Sequence, residues 1–193
     1  MICFLNGKYI IKTPTYVWIE VNGIGYEVNI SLNTYSQIQH LQSGILYTHL
    51  QIKEDAHTLF GFFEEEERNL FLHLITVSGI GASTARMMLS SMKPDEIHQA
   101  IVTENELLLS KIKGIGPKSA KRLILELKEK LIKNKPIENM PLTVNNKIDS
   151  DALNALISLG IARNTAYNAI QKVLKTETNI ELETLIKLSL KNI

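Results

Sequence analysis

The spacing of apolar residues changes period twice along the chain. Up to residue 63 the period is two. Val17, Ile19 and Val21 alternate with Tyr16, Trp18 and Glu20, and beyond Asn22-Gly23 the residues Ile24, Tyr26, Val28 and Ile30 alternate with Gly25, Glu27 and Asn29. Alternation on both sides of an Asn-Gly pair predicts a β-hairpin. An earlier strand is expected over residues 2–12, two more over 45–53 and 58–63, and a helical turn from Thr34 to Leu41. Five short strands in so short a stretch fit a small closed barrel of the OB type.

From residue 64 the period becomes helical. Glu64 to Glu67 place acids at a helix start, where they complement the helix dipole, and Leu70, Phe71, Leu74 and Ile75 form the stripe that follows. Pro94-Asp95-Glu96 opens another helix. Over Pro117–Leu131, Ala120, Leu123, Ile124, Leu127 and Leu131 recur on one face, with Glu126 and Lys130 spaced as a helical ion pair. Residues 134–148, with Pro136, Asn139, Pro141, Asn145 and Asn146, lose the period and read as a flexible linker. It returns at 149–193. There Leu153, Leu156 and Ile157 precede Gly160, a second helix carries Ala166, Tyr167, Ile170, Val173 and Leu174, and Thr178 to Glu181 reads as a capping box before Leu182, Leu185, Ile186 and Leu190. The expected architecture is α+β and multidomain. It comprises an OB-type barrel over 1–63, a helical domain over 64–133, a linker over 134–148 and a three-helix domain over 149–193.

The helical domain contains an internal repeat. Gly79-Ile80-Gly81 returns as Gly114-Ile115-Gly116, a shift of 35 residues that also aligns Leu74 with Leu109, Val77 with Ile112, Ala85 with Ala120, Arg86 with Lys121 and Met88 with Leu123. Each copy has an apolar helical stretch before and after its glycines, which makes a helix–hairpin–helix written twice. A glycine permits φ > 0 and removes the Cβ that would hold another backbone away. The N–H groups that begin the following helix lack intrahelical partners and form, with the helix dipole, an anion site. The middle isoleucine can plug the loop into its own core. Two such loops in matched frames could hold two phosphates of one duplex without reading a base. A single Gly-x-Gly is as well explained by one helix ending and another beginning.

Charge sharpens this picture. The net charge is +1, yet residues 111–135 carry nine Lys or Arg against two Asp or Glu. Lys118, Lys121 and Arg122 lie off the buried stripe of their helix, near its start, where they can flank a phosphate. Cys3 is the sole cysteine and the five histidines show no metal-ligand spacing, so neither a disulfide nor a metal or other cofactor is expected. The N-terminus does not read as a signal peptide and no apolar run approaches a membrane span, which makes the cytoplasm the default location.

Two stretches suggest further roles. Lys53-Glu54-Asp55-Ala56-His57 forms the tip between the last two strands. An acidic pair there is ordinarily a solvated turn. Beside a phosphate-binding module it would repel DNA and could hold strands apart. In the last domain Leu156, Leu159 and Ile161 surround the first helix end and are candidates for a protein contact patch or for core.

Taken together, Gly23-Ile24-Gly25-Tyr26-Glu27-Val28, Lys53-Glu54-Asp55-Ala56, Leu59-Phe60-Gly61-Phe62, Gly79-Ile80-Gly81 and Gly114-Ile115-Gly116-Pro117-Lys118 resemble the RuvA family of Holliday-junction-recognition proteins. The resemblance spans essentially the whole chain. It implies a fourfold-symmetric homotetramer, or two stacked as an octamer, on which an open four-way DNA junction lies flat during recombination and repair. It implies that the hairpin loops grip phosphates and that Glu54 and Asp55 guide strand separation. It further implies that the tail, through Leu156, Leu159 and Ile161, recruits the RuvB motor ATPase, with the nuclease RuvC sharing the complex. The chain itself would be non-catalytic, and Gly114-x-Gly116-Pro117-Lys118 breaks the spacing of a nucleotide-binding P-loop. Two positions depart from the family. Ala82-Ser83 stands where a lysine is common, leaving Ser83 as an uncharged donor and shifting the expected grip to the second hairpin. Ile161 stands where an aromatic residue is frequent. The rival readings are an accessory subunit of, or itself, a helix–hairpin–helix nuclease or glycosylase, and a scaffold that binds protein alone.

Overall fold

Asn22 and Gly23 turn the chain with φ of 49° and 85° in the computed structural model, the two positive angles that a tight hairpin of this twist requires. They join the second and third of five strands. In chain order these are β1 (Phe4–Lys12), β2 (Tyr16–Val21), β3 (Ile24–Ile30), then helix α1 (Leu32–Ile38), β4 (Ser43–Ile52) and β5 (His57–Phe62). The strands close into a barrel in the order β1-β2-β3-β5-β4. Neighbours are antiparallel except β3 and β5, which run parallel with Val28 opposite Leu59. Leu5, Val17, Ile19, Val28, Ile30 and Leu46 fill the interior. Trp18, on the other face of β2, donates its indole N–H to Glu27 at 2.9 Å. The predicted helical turn begins earlier than its apolar residues suggest, because Ser31 caps it by accepting from Thr34 N–H.

The structure describes residues 1–134, 144–176 and 180–193, which fall into two units, Met1–Lys135 and Pro136–Ile193. The first unit continues from the barrel into α2 (Glu65–Ile75), α3 (Ala82–Ser91), α4 (Pro94–Val102), α5 (Glu106–Ser110) and α6 (Pro117–Asn134). Phe71 of α2 packs against Phe60 and Phe62 of β5, with ring centroids 5.2 and 4.9 Å apart, so the helical core is continuous with the end of the barrel.

The acids that open α2 do more than complement its dipole. Glu67 is buried and accepts hydrogen bonds from Ser31 and Thr34 of the α1 cap, while Thr34 accepts from Phe63 N–H. Arg68 donates to the carbonyl of Thr48 on β4. Glu126 pairs with Arg122, one turn back, at 3.7 Å; the expected partner was Lys130.

The second unit contains α7 (Val144–Ser158), α8 (Arg163–Thr176) and α9 (Leu182–Lys191) around Ala152, Leu156, Ala166, Ile170, Val173 and Leu185. Helix α7 starts at Val144, inside the stretch 134–148 read as linker. The asparagines at 145 and 146 lower helix propensity without forbidding a helix. The rest of that stretch, from 135 to 143, lies outside the described residues. Tyr167 points outward, not into the core. Glu181 is the N-cap of α9, not the third helical residue of a capping box, and Thr178 lies outside the described residues. Among the described residues no helix is long and apolar enough to cross a membrane.

Candidate nucleic-acid interface

The two Gly-Ile-Gly loops match bond for bond. In the first, Thr76, Val77 and Ile80 donate to the carbonyls of His73, Leu74 and Val77, and Ala85 donates to Gly81. Thirty-five residues on, Lys111, Ile112 and Ile115 donate to Leu108, Leu109 and Ile112, and Ala120 donates to Gly116. The leading glycines adopt φ of 88° at Gly79 and 91° at Gly114, a conformation that disfavours any residue with a Cβ. Ile80 and Ile115 are buried and anchor the loops, as do the aligned pairs Leu74 and Leu109, Val77 and Ile112, Ala85 and Ala120, Met88 and Leu123.

The trailing glycines tell more about function. Gly81 is the N-cap of α3 with φ −86°, an angle open to any residue, and a Cβ built there would meet nothing within 4 Å. Gly116, ahead of α6, has the same empty space above it. Neither packing nor backbone angle within this chain demands glycine at Gly81. The surface over both loops is therefore bare backbone leading into a helix start, whose first N–H groups have no intrahelical partner, an arrangement that can accept an anion.

The cations differ between the copies. Ser83 is exposed beside the first loop. Lys118 is exposed beside the second, and Lys121 faces solvent with only a 3.9 Å pairing to Glu106. Arg122 reaches across the pseudo-repeat, donating from Nη1 to the carbonyl of Ser78 at 3.3 Å, and so ties α6 to the first loop. Arg86 matches Lys121 by position, but it turns to the barrel, donating from Nη1 to Thr15 O at 3.0 Å and to Asn29 Oδ1 at 2.7 Å. Its burial lowers the guanidinium pKa from the ordinary value. Sequence reasoning aligned Arg86 with Lys121 and put Glu67 among the acids of a helix start, but missed what each bonds to. Their partners lie tens of residues away, on strands and caps that no local period connects to them.

Glu54 and Asp55 sit exposed at the β4–β5 turn, which is closed by Lys53 N–H donating to Ala56 O at 2.9 Å. Among the described residues no group of three His, Cys, Asp or Glu is placed to hold a metal ion.

The three residues singled out in the tail separate. Gly160, with φ 89°, ends α7 in a Schellman motif in which Ile161 N–H reaches Leu156 O and Gly160 N–H reaches Ile157 O. That geometry folds Ile161 back onto the core beside Leu156, which is fully buried. Leu159 is left 64% exposed.

An OB-type barrel continuous with paired hairpins of this register defines a tandem helix–hairpin–helix protein. Residues 71–129 match the family described as SAM-like Helix-hairpin-helix tandem, residues 1–61 that described as RuvA N terminal domain, and residues 149–193 that described as RuvA, C-terminal domain. The chain is 47% identical to a protein of Christiangramia forsetii and 44% identical to one of Flavobacterium psychrophilum, covering 100% of each chain in both cases. It is 45% identical to one of Cytophaga hutchinsonii over 99% of each chain. All three are named Holliday junction branch migration complex subunit RuvA. The chain belongs to the RuvA family.

Proposed function

We propose that this chain is the junction-recognition subunit of a branch migration complex. It binds four-way DNA junctions by shape and holds them open without catalysing a reaction itself. The observation that carries this is the pair of hairpins identical in hydrogen-bond register, each ending in a glycine above which the space is empty. Two equivalent backbone grips on one rigid unit suit the phosphates of a duplex arm and carry no sequence code. Lys118 and Lys121 supply the charge around the second grip, while Arg122, bonded to Ser78, brings charge to the first, where Ser83 adds an uncharged donor. Gly79, Ile80, Gly81, Gly114, Ile115 and Gly116 shape the loops.

The family resemblance implies a homotetramer as the working form, alone or stacked as an octamer, with one subunit for each arm of the junction. At the junction's centre Glu54 and Asp55 repel the backbone and part the strands. A motor ATPase of the RuvB type, held by the tail through Leu159 and Ile161, supplies the work, since the spacing at Lys118-Ser119 does not make a nucleotide site. A RuvC-type nuclease shares the junction. The names of the relatives support the branch-migration role.

The test is a competition in low salt between a labelled four-way junction and linear duplex built from its arms, with the native chain and with Glu54→Ala/Asp55→Ala. The expected result is strong preference for the junction in both proteins, which assigns the grip to the hairpins and leaves strand separation to the acidic turn. Equal binding of junction and duplex by the native chain would leave only a general DNA-binding module.

A further inference from the structure

The repeat places Arg86 where the second copy has Lys121, yet the two cations face different things. Lys121 faces solvent beside its loop. Arg86 donates to Thr15 and Asn29 of the barrel. Asn29 lies on β3 in register with Phe60 of β5, and its Nδ2 donates to Leu59 O at 3.5 Å. One amide side chain thus stands between the helix that follows the first hairpin and the strand that leaves the acidic turn at His57. The same seam is closed one turn further along α3, where Ser90 Oγ accepts from Leu32 N–H at 3.1 Å and donates to Arg86 O.

We infer that Arg86, together with Asn29, is a positioning residue that holds the acidic turn at a set distance from the first hairpin, and is not itself a ligand of the DNA backbone. The inference rests on the junction-recognition reading. Its physical basis is where each group is built. Both hairpins join helices and keep their spacing to each other and to the DNA they hold, whereas Glu54 and Asp55 sit on the barrel between β4 and β5. A displacement of barrel against helices therefore leaves the grip in place and changes only where the carboxylates apply their repulsion. Two hydrogen bonds from one guanidinium nitrogen to acceptors on the first connection and on β3 restrain that displacement. Removing the guanidinium leaves Asn29 Oδ1 short of its charged donor in a partly buried seam.

The experiment uses the full chain, a four-way junction with thymines at the crossover, and duplex made from its arms, across a salt series. The variants are Arg86→Gln, Asn29→Ala and the double. Duplex affinity and the slope of log affinity against log salt should match the native chain in all three, because no phosphate contact is lost. Permanganate reactivity of the crossover thymines in the bound junction should fall by ~5-fold in each single variant and no further in the double, as for two residues acting through one contact, while preference for the junction is kept. Asn29→Ala keeps the charge in place and carries the test should Arg86→Gln fold poorly. A fall in duplex affinity with a flatter salt slope in Arg86→Gln, and none of it in Asn29→Ala, would make Arg86 a phosphate ligand and overturn the inference. Unchanged permanganate reactivity in the single variants would overturn it too, leaving the parent reading intact. Absence of junction preference in the native chain would remove both.

Discussion

At the scale of single residues, the two glycines of each hairpin do different work. Gly79 is held at a positive φ, where a Cβ costs roughly 1–2 kcal/mol, whereas Gly81 has an ordinary angle, and a Cβ at either would meet nothing within 4 Å. Gly79→Ala is expected to lower thermal stability by an amount in that range. Gly81→Ala should cost only about half a kcal/mol through the weaker N-cap, yet reduce junction affinity on the order of tenfold because its methyl occupies the space meant for the phosphate. Paired melting curves and binding isotherms check this, and equal stability losses at the two positions would contradict it. The repeat was legible from sequence because its signal is local, with glycine spacing and apolar residues recurring after a fixed shift. The distinct roles within each Gly-x-Gly were not legible, since they depend on which glycine takes the positive angle and what lies above the other.

At the scale of elements, the junction between barrel and helices rests on Glu67. Burial raises the pKa of this carboxyl, hydrogen bonds from Ser31 and Thr34 pull it partly back, and nearby Glu64 raises it further. With the folded value above the unfolded one, the folded state binds more protons in the interval between them. Stability therefore falls as pH rises from the ordinary carboxylate range through the raised value, and is level above it. Urea midpoints measured from mildly acidic to neutral pH for the native chain and Glu67→Gln should show the difference moving in favour of glutamine as pH rises. A drift in the other direction would show that the carboxylate is held charged by its hydroxyl partners. Strands and helices were readable here from period alone, down to the Asn22-Gly23 turn. The parallel pairing of β3 with β5 and the attachment of α2 to the α1 cap were not, because both join residues more than thirty positions apart through contacts that leave no periodic trace.

At the scale of the whole molecule, the chain forms two units, and the tail of the second places core and surface positions within six residues. Leu156 is core and Leu159 is surface, while Ile161 covers the former as part of the helix stop. Leu156→Ala is expected to destabilise the small second unit by about 2–5 kcal/mol. Leu159→Ser should leave its melting unchanged and junction binding intact, yet weaken capture of a RuvB-type ATPase. Calorimetry and a pull-down with the purified motor distinguish them, and undiminished capture by Leu159→Ser would move the contact elsewhere. The candidates were found from sequence because apolar residues crowd a glycine stop. Their division came only from the Schellman geometry, which determines which of them folds back.

The buried isoleucines of the two loops have a consequence for motion. With Ile80 and Ile115 buried and their N–H groups bonded to Val77 and Ile112, what the proposed grip has left for the DNA is main chain at the glycines and helix starts, the same whichever base pair lies beneath. A junction that migrates draws every sequence of both chromosomes past the same grip. A grip able to read bases would pause at the sites it preferred and turn the path into a series of wells. One made of main chain leaves the track level, so that direction and speed are left to whatever pulls on the arms.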